Sequence, residues 1–250
     1  MSERPKALIT GAGTGVGAAT ALELTRRGYD VLINYRRSAD EADSVAEQCR
    51  QAGGQPLLVQ GDVAEDADCR RLVQSALDTW GRLDALVNNA GVTVFKPGQW
   101  DGLEPEDFQR LYAVNTIGTF QMVRAARAAL KDARGAIVNV SSIAGALGIG
   151  SSAAYIAAKG AVNSLTLHMA RELAPEIRVN AVCPGLITTR WFVDGLGQEA
   201  FEKIRANYES TRPLATACSA EDVADAIVWL VTGARTTTGE LVLLDSGTHL

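Results

Sequence analysis

Short runs of apolar residues alternate along this chain with longer stretches in which apolar residues return every three or four positions. The short runs, at 6–10, 30–34, 56–60, 83–87, 136–140, 178–182 and 241–244, predict buried strands. The longer stretches predict helices over 16–27, 39–52, 65–80, 105–131, 153–173 and 219–231. Punctuation agrees with these limits. Gly28 follows the first helix, Gly53 and Gly54 close the second, and Ser219 with Asp222 three residues on opens the last. Seven strands alternating with helices predict an α/β chain with a doubly wound parallel sheet, whose ligand lies across the carboxyl ends of the strands.

Composition narrows the class. At 250 residues the chain suits one domain, 1–250, with one sizeable core. A net charge of −5 argues against a nucleic-acid or anionic-membrane partner, either of which calls for a basic face. No apolar run approaches the ~20 residues that span a bilayer. The first strand is expected almost at once after Met1, leaving no room for a signal peptide, so a cytoplasmic protein is expected. Cys49, Cys69, Cys183 and Cys218 are scattered, form no CxxC pair and have no nearby His, so neither a metal nor a disulfide framework is indicated. Cys183 reads as a buried strand-end thiol. His168 lies nine residues after Lys159, about 900° around a helix, and therefore on the opposite face; a surface or interface role is expected for it and for His249.

The candidate chemistry lies between Ser141 and Lys159. Tyr155 and Lys159 are four apart and share one helical face. A neighbouring ammonium favours a phenolate, which predicts a lowered Tyr155 pKa and proton exchange with an alkoxide near neutral pH. Ser142 can bring a hydroxyl to the same oxygen. Taken alone, Tyr-x-x-x-Lys equally describes two residues at a solvated helix boundary. Upstream, Gly11, Gly15 and Gly17, with Thr14 and Val16 among them, follow a strand and open a helix. They permit a tight turn close to a pyrophosphate, and the helix start offers free N–H groups. The plainer alternative is a simple strand–helix turn. Arg36 and Arg37 after the second strand could pair with a phosphate or serve as solvated helix-start charges. Asn89, Ala90 and Gly91, small or amide residues at a strand end, let the backbone pass close to a ligand, and Asn88 could tie strands together. Asn115 is a poor mid-helix residue, and by itself reads as a buried amide.

Ser142, Tyr155 and Lys159, with Thr10-Gly11-Ala12-Gly13-Thr14-Gly15-Val16-Gly17 and Asn88-Asn89-Ala90-Gly91, resemble the short-chain dehydrogenase/reductase superfamily in order and spacing over essentially the whole chain. The overall sequence looks most like its 3-oxoacyl-carrier-protein reductase branch. The resemblance implies a Rossmann-type fold and assigns further residues. Tyr35 stands where NAD-preferring relatives usually carry Asp, and Arg36 and Arg37 follow it, implying NADP(H). A basic residue is common in the glycine turn of NADP-preferring relatives; Thr14 stands there, so NAD(H) is also admitted. Asp62 and Val63 match the family's adenine contacts, although Asp62 could instead cap the helix 65–80. Asn115 matches a residue that perturbs its helix and gives the active-site Lys a proton path. Pro184 and Gly185 match the turn beside the nicotinamide, with Ile187 and Thr189 near its carboxamide or phosphate. Residues of about 188–212 match the variable substrate lid, in which Trp191, Phe192, Leu196, Phe201 and Tyr208 form an apolar wall or pack the lid onto the body. The last strand helps build tetramers in relatives, and Ser246 replaces a usual second Gly.

The expected activity is therefore NADP(H)-dependent interconversion of a carbonyl and a secondary alcohol, with a 3-oxoacyl thioester or similar ketone as substrate. Tyr155 acts as general acid/base, Ser142 polarises the oxygen, and Lys159 tunes the phenol and binds the nicotinamide ribose. A polyol, sugar or cyclic-alcohol dehydrogenase and a catalytically silent cofactor-binding regulator are the alternatives. Expected partners are a small-molecule carbonyl or alcohol and further copies of the chain, as a dimer or tetramer.

Overall fold

The seven apolar runs become β1 (Lys6–Ile9), β2 (Asp30–Tyr35), β3 (Leu57–Gln60), β4 (Ala85–Asn88), β5 (Ala136–Val140), β6 (Arg178–Pro184) and β7 (Leu241–Leu244). They pair, all parallel, in the order β3-β2-β1-β4-β5-β6-β7. The computed structural model describes residues 4–96, 98 and 100–250; of the segment Met1–Lys6, from which no signal peptide was expected, Met1–Glu3 lie outside the described residues. The helices are α1 (Gly15–Arg26), α2 (Ala39–Gln51), α3 (Asp66–Trp80), α4 (Pro105–Leu111), α5 (Gly118–Ala133), α6 (Ile143–Leu147), α7 (Ala153–Leu173), α8 (Arg190–Leu196), α9 (Gln198–Thr211) and α10 (Ala220–Thr232).

The alternation of side chains along each strand sorts the core into two layers. Ala7 and Ile9 of β1 pack with α1, α2 and α10, whereas Leu8 between them packs with α3, α5 and α7. Both faces are thus covered, which is why the strands read as continuous apolar runs rather than alternating ones. The chain winds outward from β1 through β2 to β3, then returns to place β4 against the other edge of β1. This reversal opens a crevice beyond the carboxyl ends of β1 and β4, the place where doubly wound sheets bind ligands.

Three expectations are corrected. The single helix over 105–131 is instead α4, a π-helical segment Tyr112–Ile117, and α5. Asn115 bonds the Val92 backbone in both directions, and the Thr116 hydroxyl donates to the Ala158 carbonyl. Each draws the backbone off the α-helical path, and the Gly118 N–H reaches Ala113 O, five residues back. The loop expected after Val140 contains α6, whose start is capped by Ser142 Oγ accepting from Ala144 N at 3.1 Å. Residues 188–212, expected to form a lid, contain two helices, α8 and α9, divided by Gly197 at φ 82°. Smaller differences are at ends: β2 and β6 run on to Tyr35 and Pro184, β1 stops at Ile9, and β4 starts at Ala85. Ser246, where a glycine was expected from the resemblance, has φ 54° and so takes the left-handed conformation that favours one. Cys183 is fully buried and His168 is exposed, as expected.

Candidate active site

The carboxyl ends of β1 to β6 build one side of a cleft of about 700 Å³. Beyond β1, the glycine turn is held by polar residues inside otherwise apolar strands. Asn34, buried in β2, accepts from Gly11 N at 3.1 Å and donates to Gly61 O at 3.0 Å. Thr10 Oγ1 accepts from the backbone N–H groups of Asn89 and Ala90, both at 3.0 Å, while Asn89 Nδ2 donates to Thr10 O and Gly11 O. This close approach excludes side chains. A Cβ on Gly17 would lie 2.5 Å from Asn89 Nδ2 and 2.6 Å from Gly11 O, and one on Gly13 would lie 2.6 Å from Ser38 Oγ. Gly11 and Gly15 also have positive φ, 62° and 57°. Thr14, at the start of α1, makes no side-chain cap, so the first N–H groups of α1 are left for a ligand. A side-chain-free cradle beside an uncapped helix start fits a pyrophosphate.

Tyr35, Arg36, Arg37, Asp62 and Val63 line one end of the cleft. Arg36 Nη1 pairs with Asp62 Oδ2 at 2.9 Å. Asp62 Oδ1 accepts from Ala64 N at 3.0 Å, and α3 begins only at Asp66, so the alternative of Asp62 as the cap of that helix is set aside. Arg37 is exposed and meets no carboxylate among the described residues.

Ser142, Tyr155 and Lys159 come together at the middle of the cleft. Ser152 caps α7 by accepting from Tyr155 N at 3.2 Å, which sets where Tyr155 leaves the first turn. Gly145 brings α6 so close to α7 that a Cβ there would lie 2.4 Å from the Lys159 carbonyl carbon. Ser141 Oγ, at the end of β5, donates to Asn163 Oδ1 at 2.6 Å and to Lys159 O at 3.2 Å. Deeper in the core, Asn88 donates to Asn139 across β4 and β5, and Asn139 donates to Thr166 of α7, each at 2.9 Å. Asn88 therefore does tie strands, and none of these partners was singled out in the sequence. The available signal was the recurrence of Asn, Ser and Thr inside apolar runs, where a polar group needs a partner.

The electrostatics differ from expectation at one point. Lys159 Nζ donates to Val140 O at 2.8 Å and lies 5.7 Å from the Tyr155 ring centroid. At that separation burial dominates: it pushes the Tyr155 phenol up to about 12, opposed only by the Ser142 hydrogen bond, instead of the lowering expected from the ammonium. Burial brings the Lys159 ammonium down to about 8. Ser142 Oγ also faces Pro184 O at 3.4 Å. Asn115 Oδ1 accepts from Val92 N at 2.9 Å, beside Gly91 and Lys159, whose Nζ is 3.7 Å from where a Gly91 Cβ would stand. Pro184, Gly185, Ile187 and Thr189 line the wall that follows β6, and Asn89, Ala90 and Gly91 line the wall after β4. A buried thiol at about 11 makes Cys183 inert beside them.

The other end of the cleft is aromatic. Trp191 packs edge-on against Phe95 at 5.7 Å and Phe192 at 5.1 Å, and tilts against Tyr155 at 6.2 Å. Phe95 in turn sits on the backbone of Gly195, where a Cβ would lie 2.0 Å from its ring. The aromatic residues of 188–212 divide between the two arrangements, cleft wall and packing. Phe201 and Tyr208 are buried and pack α9 onto the body, whereas Trp191 is 38% exposed and faces the cleft. Phe95 and Ile149, also in this wall, were not anticipated because they come from loops outside the lid. Among the described residues no cluster of His, Cys, Asp and Glu could hold a metal, and no helix is long and apolar enough to cross a membrane.

Residues 11–249 match the family model described as Enoyl-(Acyl carrier protein) reductase. Among curated relatives, the "Granaticin polyketide synthase putative ketoacyl reductase 2" of Streptomyces violaceoruber is 40% identical over 250 residues, covering 99% of this chain and 97% of that one. The 3-oxoacyl-(acyl-carrier-protein) reductase FabG of Staphylococcus aureus is 32% identical and is covered, like this chain, over 100% of its length. A solved structure, "Crystal structure of a putative short-chain dehydrogenase/reductase from Burkholderia xenovorans", superposes with a TM-score of 0.92 at 38% identity, over 100% of this chain and 99% of that one. A parallel sheet with a glycine cradle at its switch point, a Ser–Tyr–Lys cluster beyond it and relatives matched end to end lead to one assignment: the chain is an oxidoreductase that belongs to the short-chain dehydrogenase/reductase family.

Proposed function

We propose that the protein reduces a ketone, of the 3-oxoacyl or a similar class, with NADPH as hydride donor. The observation that carries this reading is the meeting of Ser142, Tyr155 and Lys159 between a glycine cradle and an aromatic wall, in one cleft. When bound, the reduced nicotinamide supplies the hydride. Tyr155, held neutral by burial, keeps its proton at working pH and delivers it to the carbonyl oxygen. Ser142 Oγ donates to the same oxygen as charge develops there. An ammonium has three donors; Lys159 spends one on Val140 O and keeps the others for ribose hydroxyls and for returning a proton to Tyr155. Asn115 and its π-helical turn sit beside Lys159, on the proposed path of that proton.

Arg37 serves the cofactor's 2′-phosphate, because its charge is unanswered while Arg36 is held by Asp62. NAD(H) remains usable. An apolar, ring-lined wall disfavours a polyol substrate, which would need donors and acceptors along its length. A cytoplasmic homo-oligomer, dimer or tetramer, with residues 188–212 as substrate lid, completes the reading. Fluorescence titration with NADPH and NADH tests the cofactor: NADPH is expected to bind at least about tenfold tighter, the advantage falling in Arg37→Ala. Tyr155→Phe is expected to lower ketone reduction by about 10²–10⁴ with NADPH affinity unchanged. Near wild-type turnover in that folded variant would sink the mechanism.

A further inference from the structure

The cleft carries a positive charge at its aromatic end that no carboxylate answers. Of the cations that line it, Arg36 is held by Asp62 at 2.9 Å, and Arg190 by Glu41 at 3.0 Å and Asp194 at 3.5 Å. Lys159 and Arg37 already have roles in the proposed reaction. Arg212 is left. Among the described residues no carboxylate stands within ion-pair distance of it, and its guanidinium donates to no carbonyl at the end of α9. It lies over the Tyr208 ring at 5.0 Å, and its Nε is buried without a hydrogen-bond partner. That one buried donor is left unsatisfied, at a cost of about 1–3 kcal/mol, and among the described residues no carboxylate neutralises the charge that the guanidinium brings to the cleft.

Its place is on the substrate side. Ser142 Oγ faces Pro184 O at 3.4 Å, the next residue, Gly185, packs so that a Cβ would lie 2.4 Å from Tyr208 Oη, and Arg212 covers the Tyr208 ring. The approach to it is also patterned. Ile204 and Tyr208, four residues apart on α9, both line the cleft, and Arg212 follows four residues on as the extended residue that caps the end of the helix. Ile204 is 43% exposed although it lines the cleft.

We propose that Arg212 anchors an anionic group of the substrate, so that the cleft takes a ketone with a flat apolar body and an acidic group, carboxylate or phosphate, beyond it. This rests on the ketone-reductase reading above. The rings of Trp191 and Phe95 supply faces and edges for the body. The guanidinium fork supplies two parallel donors for the oxyanion, a geometry Lys does not reproduce.

The test uses the full chain and a binding readout that needs no turnover: quenching of tryptophan fluorescence by 2-naphthoate, 2-naphthyl phosphate and the neutral 2-naphthamide. Expected is at least about tenfold tighter binding of one or both anions than of the amide, with the two anions distinguishing a carboxylate from a phosphate site. In Arg212→Met, which keeps an apolar stem over Tyr208, the preferred anion is expected to weaken about 10–100-fold and the amide to stay unchanged. Arg212→Lys is expected to recover part of the loss. Equal affinity of acid and amide for the wild type, or equal weakening of both in Arg212→Met, would overturn the proposal and leave Arg212 a packing residue. A ketone panel run alongside separates the two levels of inference: if no ketone is reduced, the reductase reading fails while anion selectivity at Arg212 still stands or falls on the titration. If ketones are reduced, acidic ones are expected to show a raised KM and unchanged kcat in Arg212→Met, relative to their methyl esters.

Discussion

At the glycine-rich end of the cleft the chain leaves no room for even a methyl group at Gly13 or Gly17, whereas at the aromatic end Trp191, Ile149 and Ile204 each leave more than a third of their surface open. The first end is made of strand termini and backbone, locked by Asn34, Thr10 and Asn89. The second is made of side chains on α8, α9 and two loops, and α8 buries none of its residues. The difference teaches how one fold serves many substrates: a rigid backbone cradle is shared, and selectivity is written on elements that contribute little to the core.

This contrast can be broken experimentally. The largest effect is expected at the cradle. Gly17→Ala places a methyl against Asn89 Nδ2, Gly11 O and Ala12 Cα. It is expected to lower unfolding stability by about 2–4 kcal/mol and cofactor affinity by more than about 100-fold, read by denaturant melts and titration. An unaffected cofactor affinity would show the cradle to be less rigid than its contacts indicate.

At the seam between the two ends, Lys159 is held at about 8 when folded, below its ordinary 10.5. The unfolded chain therefore binds the extra proton between these values, and the folded state carries the full penalty below about pH 8 and loses it as pH rises towards 10.5. The shift corresponds to about 3 kcal/mol. Lys159→Met is expected to be inactive yet to gain stability relative to wild type at pH 7, with that gain shrinking by about 3 kcal/mol by pH 10.5. In the wild type, ketone reduction is expected to fall as pH rises through about 8, when Lys159 loses its charge. A flat stability difference across this range would remove the desolvation argument.

The smallest change in stability is expected in the lid. Trp191→Ala loses three aromatic contacts from a partly exposed position, so stability should change by no more than about 1.5 kcal/mol while KM for a ring-bearing ketone rises about tenfold. A melt shift as large as that of Gly17→Ala would make the lid part of the core.

Much of the fold was legible from the chain because local physics decides it. All seven strands and the helix limits at Ala153 and Leu173 follow from apolar period and punctuation, and Ser219 with Asp222 forms the capping box its spacing implies. The same holds for Gly11, Gly15 and Gly17 and for the juxtaposition of Ser142, Tyr155 and Lys159, which motif spacing alone brings onto one helix and one strand end. The π-helical turn was not legible, because it arises from Asn115 bonding a backbone 23 residues earlier. Nor was α6, whose close packing depends on Gly145 meeting the backbone of Lys159.

Sequence by itself therefore determined the order of elements, the side-chain-free glycine turn and the grouping of Ser142, Tyr155 and Lys159, since each depends on neighbours a few residues apart or on a motif read whole. Tertiary structure alone decided the direction of the Tyr155 shift, the sharing of Arg36 with Asp62, the aromatic wall from Phe95 to Trp191 and the unanswered charge of Arg212. These are matters of burial and of distances between residues far apart in the chain. Desolvation and Coulomb attraction depend on where the fold puts a group, which no local pattern records.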